Sequence, residues 1–487
     1  MCVLVPIWFV HYPPLQDYWN HLLKARILAD YSNPSLGYSQ LYRLSFLPTP
    51  NAASTLVMAM LMKFFSPDIS GKVFLSICAV ALPLSTRYMV RCSRVGIKAL
   101  EYIGFTVVYN PCFWQGFIDF CLSVAIAQFA IGYWVKTRDK VSPVVAAKYL
   151  LLVLLTYFTH LWGVVVLTGA VFILCLWETR SRKLLWLGAA AMIGVLFMVY
   201  SSGADERSAV EYRGLTFTLS ILRNTIAFPR LLGPTDGAFQ IGASTIMICT
   251  RLALFSLLAV LAWKRRTPLL YVSCGLVALY FALPAQLGRM YEPGQRTLLF
   301  LPALLAASVA VRPPRLHSAI LQVLILSSGL VATAATLWVW MAKQPDLQNY
   351  YQALAAIPPH KRVLNVVTLK CPRLSGPGKL AGSDAYTAEK FFGAIYNIEK
   401  GGYYPGTFTT GMIKVRAKTP RMIPAGQTAD VIDWPKYIAA NHDELTRHVD
   451  YVVVVGPSSG VGGILRRTYS STRQAHNVVI FGPMPVP

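Results

Sequence analysis

Residues Ala319–Met341 read AILQVLILSSGLVATAATLWVWM, a run without a single charged side chain. A helix of roughly 20 apolar residues crosses the hydrocarbon core of a bilayer. A buried helix of a soluble protein is rarely apolar all round at that length. Working outward, the same reading holds for Tyr149–Trp177, Leu184–Tyr200, Ile241–Trp263, Pro268–Pro284 and Thr297–Val311. Charged residues make up 14% of the chain, against about 25% in ordinary soluble domains. The predicted fold class is mainly α: a polytopic membrane protein with a small C-terminal soluble α/β domain.

The net charge of +24 does not point to nucleic acid. The basic residues lie in short clusters between apolar runs, at Arg87/Arg91/Arg94/Lys98, Lys136/Arg138/Lys140, Arg180/Arg182/Lys183, Lys264/Arg265/Arg266 and Arg312/Arg315. That is the positive-inside pattern of cytoplasmic loops. An even number of crossings must then separate successive clusters. Ala99–Asn110 leaves and Ile118–Val135 returns; Tyr149–Phe158 leaves and Leu161–Trp177 returns; the later runs pair likewise. Met1–Val10 is read as the end of a first helix and Val73–Ser85 as its return. Ala52–Phe65, short and bounded by prolines, is expected to lie at the interface. The total is roughly eleven helices. Residues 12–71, 201–240 and 285–296 then face outward, together with everything after Lys343.

The chain divides into a transmembrane part, 1–343, and an extracytoplasmic domain, 344–487. In the second part Arg362–Thr368, Tyr451–Gly456 and Asn477–Phe481 read as strands. Asp346–Ile357 and Trp434–His448 read as amphipathic helices. Gly456–Gly463 lacks the lysine of a phosphate-binding loop and reads as a turn. Of nine cysteines only Cys371 lies in this domain, so it holds no internal disulfide, and no pair has zinc-ligand spacing.

The first outer loop reads His11-Tyr-Pro-Pro-Leu-Gln-Asp-Tyr-Trp-Asn-His21-Leu-Leu-Lys-Ala-Arg26. At about 100° per residue, Asp17, Asn20, His21 and Lys24 share one helix face, and Leu15, Trp19, Leu22 and Leu23 the other. A carboxylate there can deprotonate an acceptor hydroxyl or hold a metal that does so. The competing reading is a solvated polar face. A second loop, Gln286-Leu-Gly-Arg289-Met-Tyr291-Glu292-Pro-Gly-Gln-Arg296, places two guanidinium groups around Glu292. Guanidinium matches phosphate oxygens with paired hydrogen bonds, and a snorkelling arginine pair is the alternative. Asp119 and His160 sit near the outer ends of helices, where ionisable residues are candidates for function. The charges of Ser201–Gln240 are too mixed to assign.

The motif Pro13-Pro-Leu-x-Asp17-Tyr-x-Asn-His-Leu22, many helices and an outer soluble domain together resemble the GT-C class of membrane glycosyltransferases. The resemblance covers the architecture of the whole chain, with residue-level support at Pro13–Arg26 and weaker support at Asn110–Phe120 and Arg289–Arg296. It implies transfer of a sugar from a polyprenyl-phosphate carrier to a glycan or lipid acceptor, on the outer face of the inner or plasma membrane. Carried over, Asp17 takes the place of the class's acidic residue, with His21 beside it. Arg289 and Arg296, with Glu292, take the place of the carrier-phosphate site. Lys24, Asp119 and His160 are further candidates. The class often has two adjacent acids in this loop, whereas Tyr18 follows Asp17 here. Some members use a divalent metal and others do not, and the residues leave that open. Two other readings stand beside the enzyme: a flippase for a lipid-linked saccharide and a non-catalytic assembly protein.

Overall fold

The computed structural model describes residues 2–45, 49–93, 97–140, 142–177, 194, 210–211, 214–226, 230–231, 237–264, 266–287, 290–309, 315–368, 385–386, 391–406, 412–416, 434–475 and 478–483. The span expected at Leu184–Tyr200, apart from Gly194, and about half of Ser201–Gln240 lie outside the described residues.

The apolar runs fold as helices. In chain order these are α1 (Val5–Phe9), α2 (Tyr18–Ala29), α3 (Tyr38–Leu41), α4 (Ala53–Leu61), α5 (Pro67–Cys92), α6 (Pro111–Trp114), α7 (Ile118–Thr137), α8 (Pro143–Thr159) and α9 (Leu161–Trp177). After them come α10 (Leu215–Ile226), α11 (Gly237–Trp263), α12 (Pro268–Ala282), α13 (Pro293–Leu298), α14 (Leu301–Ser308) and α15 (Arg315–Ala355). Among the described residues, four helices are long and apolar enough to span: α5, α7, α11 and α15. α8, α9 and α12 are shorter apolar helices. On α15, Leu316, Ile320, Val323 and Leu330 form an exposed stripe. In water such a stripe is a liability; against lipid it costs nothing.

Four expectations need correction. Ala99–Asn110 is not an α-helical span: Lys98–Val107 is a 3-10 segment. It is packed against α5, α14 and α15, which is where irregular backbone is tolerated at membrane depth. A Cβ at Gly104 would lie 2.7 Å from the Pro83 Cα, so close backbone approach, not helix propensity, sets its path. Thr297–Val311 is broken into α13 and α14, because Pro302 lacks the N–H that would continue the first helix. Ala319–Met341 and Asp346–Ile357 are one helix, α15, that continues through Pro345. At 1.5 Å per residue it is about 60 Å long. Trp434–His448 is two helices, α17 (Trp434–Ala440) and α18 (His442–His448), parted at Asn441.

α4 is nine residues long, about 14 Å and too short to cross a bilayer. Met58 and Ala59 are buried, while Leu56 and Met60 on the helix and Phe64 and Phe65 just beyond its end present an apolar outer surface.

The C-terminal sheet contains β2 (Val363–Val367), β4 (Tyr451–Val455), β5 (Ser470–Ala475) and β6 (Val478–Gly482). Spatial order is β5-β6-β4-β2, with β2 parallel to β4 and the other pairs antiparallel. β2 and β6 are buried at every position, so they read as continuous apolar runs. Gly456–Gly463 is a turn only at its start, where Gly456 has a positive φ; Ser459–Leu465 forms helix α19.

The first loop and the C-terminal part are stitched together. β1 (Tyr42–Leu44) pairs antiparallel with β3 (Ile413–Val415). The Gly402 N–H donates to the Leu36 carbonyl at 3.1 Å, and the Arg416 N–H to the Leu41 carbonyl at 2.9 Å. α16 (Gly393–Lys400) packs on α2. These contacts fix where α2 lies.

Candidate active site

α2 starts at Asp17, which is half-buried. Its backbone is pinned from outside the helix: the Asp17 N–H donates to the Gln115 carbonyl at 2.9 Å. The turn that supplies this carbonyl ends at Gly116, with φ of +77°. A Cβ there would lie 2.6 Å from the Tyr18 nitrogen and 2.7 Å from that of Asp17. Glycine is required both for the left-handed backbone and for the approach. Asp17 is thereby tied to the segment just before α7, which carries Asp119.

The solvated-face reading of α2 is overturned. Every residue from Tyr18 to Ala25 is buried. One face packs on α5, where Tyr18 lies against Gly71. Trp19 touches Tyr12 and Phe392. The polar face, Asn20, His21 and Lys24, turns into protein rather than water. Its neighbour is Asp119, 2% exposed, which accepts hydrogen bonds from the Ser54 backbone N–H at 2.8 Å and the Ser54 hydroxyl at 2.6 Å. Asp119 therefore also holds the first turn of α4, where backbone N–H groups lack helical partners.

His21 lies beside this pair, with Nδ1 3.3 Å from the Ser54 Oγ and 3.5 Å from the Asp119 carboxylate. Burial, then the charge of Lys24, pushes its pKa down to about 3. His21 is neutral near pH 7, and its contact with Asp119 is not an ion pair. The Ser54 hydroxyl donates to Asp119, so its oxygen accepts from His21 Nδ1–H. Lys24, 3% exposed, has its pKa lowered by burial and supported by the charge of Asp119. No hydrogen bond or ion pair of Lys24 is formed with the described residues.

The second half of the site comes from the junction of α8 with α9 and from α13. Glu292 begins α13 in the left-handed region, φ 50°, an uncommon conformation for a residue with a Cβ. One turn on, Arg296 is buried beneath the rings of Phe117 and Phe120, at 4.1 and 5.5 Å from their centroids. Burial disfavours its charged form, and Cys112, Asp17 and Glu292 oppose that effect. Its NH1 lies 3.1 Å from His160 Nε2. The Trp162 N–H donates to His160 Nδ1 at 3.0 Å. A neutral imidazole carries one N–H, so the proton belongs on Nε2. That places two donors, the His160 Nε2–H and the Arg296 guanidinium, side by side. Two converging donors are an arrangement that an anionic oxygen completes.

The structure thus brings together His21, Lys24 and Asp119 on one side and His160 and Arg296 on the other. Asp17 acts electrostatically on Arg296, and His21 on His160. Arg289 lies outside the described residues. Among the described residues, no group of three His, Cys, Asp or Glu side chains is placed to hold a metal ion. Sequence reasoning missed Ser54, which carries no pattern of its own. It also missed the loop Gly401–Gly406, whose three glycines and Pro405 were the available signal. The carbonyl of Gly406 accepts from Asn20 Nδ2 at 3.0 Å.

A multi-pass helical bundle with a small C-terminal α/β domain is the fold class expected from the sequence. Two solved structures share it along nearly the whole chain. ArnT from Cupriavidus metallidurans bound to undecaprenyl phosphate matches with a TM-score of 0.56 at 11% identity, over 98% of this chain and 96% of that one. The apo state of the same ArnT gives 0.55 at 10% identity, over 99% and 95%. At such identity the likeness is one of fold. No family model matches the chain, and no curated protein matches it.

Proposed function

We propose that this protein is a membrane glycosyltransferase that moves a sugar from a polyprenyl-phosphate carrier to a hydroxyl of a glycan or lipid, with its site at the outer face of the bilayer. The observation that supports the reading is the buried pair of Arg296 NH1 and His160 Nε2, 3.1 Å apart, with Asp17 within electrostatic reach of Arg296. They suit a phosphate at the boundary between helix bundle and α/β domain. The ArnT with this fold binds undecaprenyl phosphate, which supports a polyprenyl phosphate as the carrier here.

In this mechanism Asp17 accepts the proton of the acceptor hydroxyl. The acceptor oxygen attacks the sugar C1 and forms the new glycosidic bond with inversion. The C1–O bond to phosphate breaks, and its electron pair leaves on the polyprenyl phosphate. Arg296 and His160 stabilise the charge that develops on that phosphate, which is worth most in a site closed to water. Lys24 adds a second buried cation. Asp119 and Ser54 hold His21 and α4 in place. On the positive-inside topology, the 344–487 domain lies outside the membrane and covers the acceptor.

The test is purified protein in detergent with undecaprenyl-phosphate-linked sugars and a panel of glycan and lipid acceptors. Transfer product that vanishes with Asp17→Asn, in protein that stays folded, supports the reading. Movement of the lipid-linked saccharide across liposome membranes with no transfer product would replace it with a flippase.

A further inference from the structure

We propose that Asn20 and Lys24 form the subsite for the sugar ring of the donor, beneath the loop Gly401–Gly406. This rests on the glycosyltransferase reading and names a part of its site that neither the motif nor the fold assigns.

Asn20 and Lys24 are one turn apart on α2, so their side chains are neighbours. Asn20 is fully buried and Lys24 nearly so. The Asn20 amide has a determined orientation: Nδ2 donates to the Gly406 carbonyl, so Oδ1 is the other atom. Oδ1 is buried and accepts no hydrogen bond from the described residues. Lys24 likewise has no hydrogen bond or ion pair with them. Buried polar groups are almost always satisfied, and those left over ask for a partner. An unmet acceptor beside a cation that donates to no described residue is matched by a ligand with a hydroxyl next to an acceptor-rich or anionic group. A sugar attached to phosphate is such a ligand, and Arg296 and His160, proposed above for the phosphate, lie within electrostatic reach of Asp17 and His21 at the start of the same helix.

The loop is shaped for this place. Gly401 and Gly402 have φ of +73° and +85°, and a Cβ on Gly401 would strike the Leu36 backbone at 2.3 Å. Gly406 packs on the Tyr404 ring. The chain can therefore lie flat against α2 and deliver a carbonyl to Asn20.

A purely architectural Asn20 would tie down the loop and nothing more. The two roles separate in a binding experiment with full-length protein in detergent. The probes are undecaprenyl phosphate and undecaprenyl phosphate carrying glucose, galactose, mannose or arabinose. In the native protein at least one sugar-linked lipid binds more tightly than the bare lipid. In Asn20→Ala the bare lipid keeps its affinity within about twofold, and the sugar-linked lipid loses about tenfold, the size of one hydrogen bond to a buried group. Equal losses for both lipids, no loss for either, or no gain from any sugar in the native protein each overturn the subsite alone. Failure of the native protein to bind either lipid overturns the donor reading and the subsite with it. Melting temperature without lipid checks the fold, and Asn20→Ser, with less packing lost, repeats the comparison if Asn20→Ala unfolds.

Discussion

Two polar regions flank the junction between the first loop and the α/β domain, and they are built on opposite principles. In the seam, side chains end on backbone. The Tyr38 hydroxyl donates to the Asn397 carbonyl, Asn397 Nδ2 to the Gly401 carbonyl, and Arg416 Nε to the Ser39 and Tyr42 carbonyls. In the site, side chains meet side chains. His21 faces Ser54 and Asp119, Arg296 faces His160, Asn20 Oδ1 accepts nothing, and Lys24 has no hydrogen bond or ion pair with the described residues. Backbone partners are fixed by the fold, so the seam holds a shape. Asn397 Oδ1 in the seam is also without a partner, so what points to a ligand in the site is an unmet acceptor together with the buried charges of Lys24, Asp119 and Arg296.

If that division is right, the largest effects come from the site. Asp17→Asn removes the base, and transfer should fall about a thousandfold, within the range for general-base loss, with an unchanged melting temperature. Arg296→Gln should come next. It leaves His160 and Lys24 to meet the phosphate, and about a hundredfold loss in kcat/KM is expected from the lost charge-assisted pair. Titration calorimetry with undecaprenyl phosphate should show the same loss in affinity. Intact binding in Arg296→Gln would break the comparison at its centre.

Gly116→Ala tests the hinge between the two halves. The added Cβ meets the backbone nitrogens of Asp17 and Tyr18, and backbone strain of this kind costs of order 1–3 kcal/mol. The chemical groups are all retained, so any drop in turnover beyond the loss of folded protein reports a displaced Asp17. Thermal melts together with initial rates separate the two.

Much of the site was legible because a helix projects residues at fixed angles. Asp17, His21 and Lys24 could be placed on one face from spacing alone, and Asp119 and His160 from their places at helix ends. What the face meets was not legible. Apolar residues opposite a polar face suggest lipid, whereas Trp19 meets Phe392 and Tyr18 meets α5. Asp119 reaches Ser54 across 65 positions, and Asn20 reaches Gly406 across 386. No local pattern encodes such pairings. The fold class was legible for the opposite reason, since spanning helices need only length and apolar composition. The 3-10 path of Lys98–Val107 was hidden because it depends on Gly104 meeting Pro83 in space.

Acid should act on the site before the seam. The folded pKa of His21 is about 3, below the ordinary 6.5. Between those values the unfolded chain takes up a proton that the folded one refuses, so stability rises with pH through that window. The contribution is fully present above about 6.5 and is lost as pH falls toward 3. The melting temperature of the native protein should decline below pH 6.5, and His21→Asn should flatten that slope. A slope unchanged by His21→Asn would place the acid-sensitive group elsewhere.

The smallest effect should come from Tyr38→Phe in the seam. Tyr38 is fully buried, and phenylalanine keeps its ring contact with Tyr42. Only the hydroxyl is lost, which leaves the Asn397 carbonyl without that donor. The expected cost is about 1–2 kcal/mol of stability. Because the seam fixes shape through many backbone partners, α2 should stay where it is, and lipid affinity should match the native protein. If Tyr38→Phe instead weakened binding of the sugar-linked lipid as strongly as Asn20→Ala, the seam and the site would be one cooperative unit. The division between holding and binding would then fall, because the loop Gly401–Gly406 would be passing every disturbance of the seam straight to Asn20.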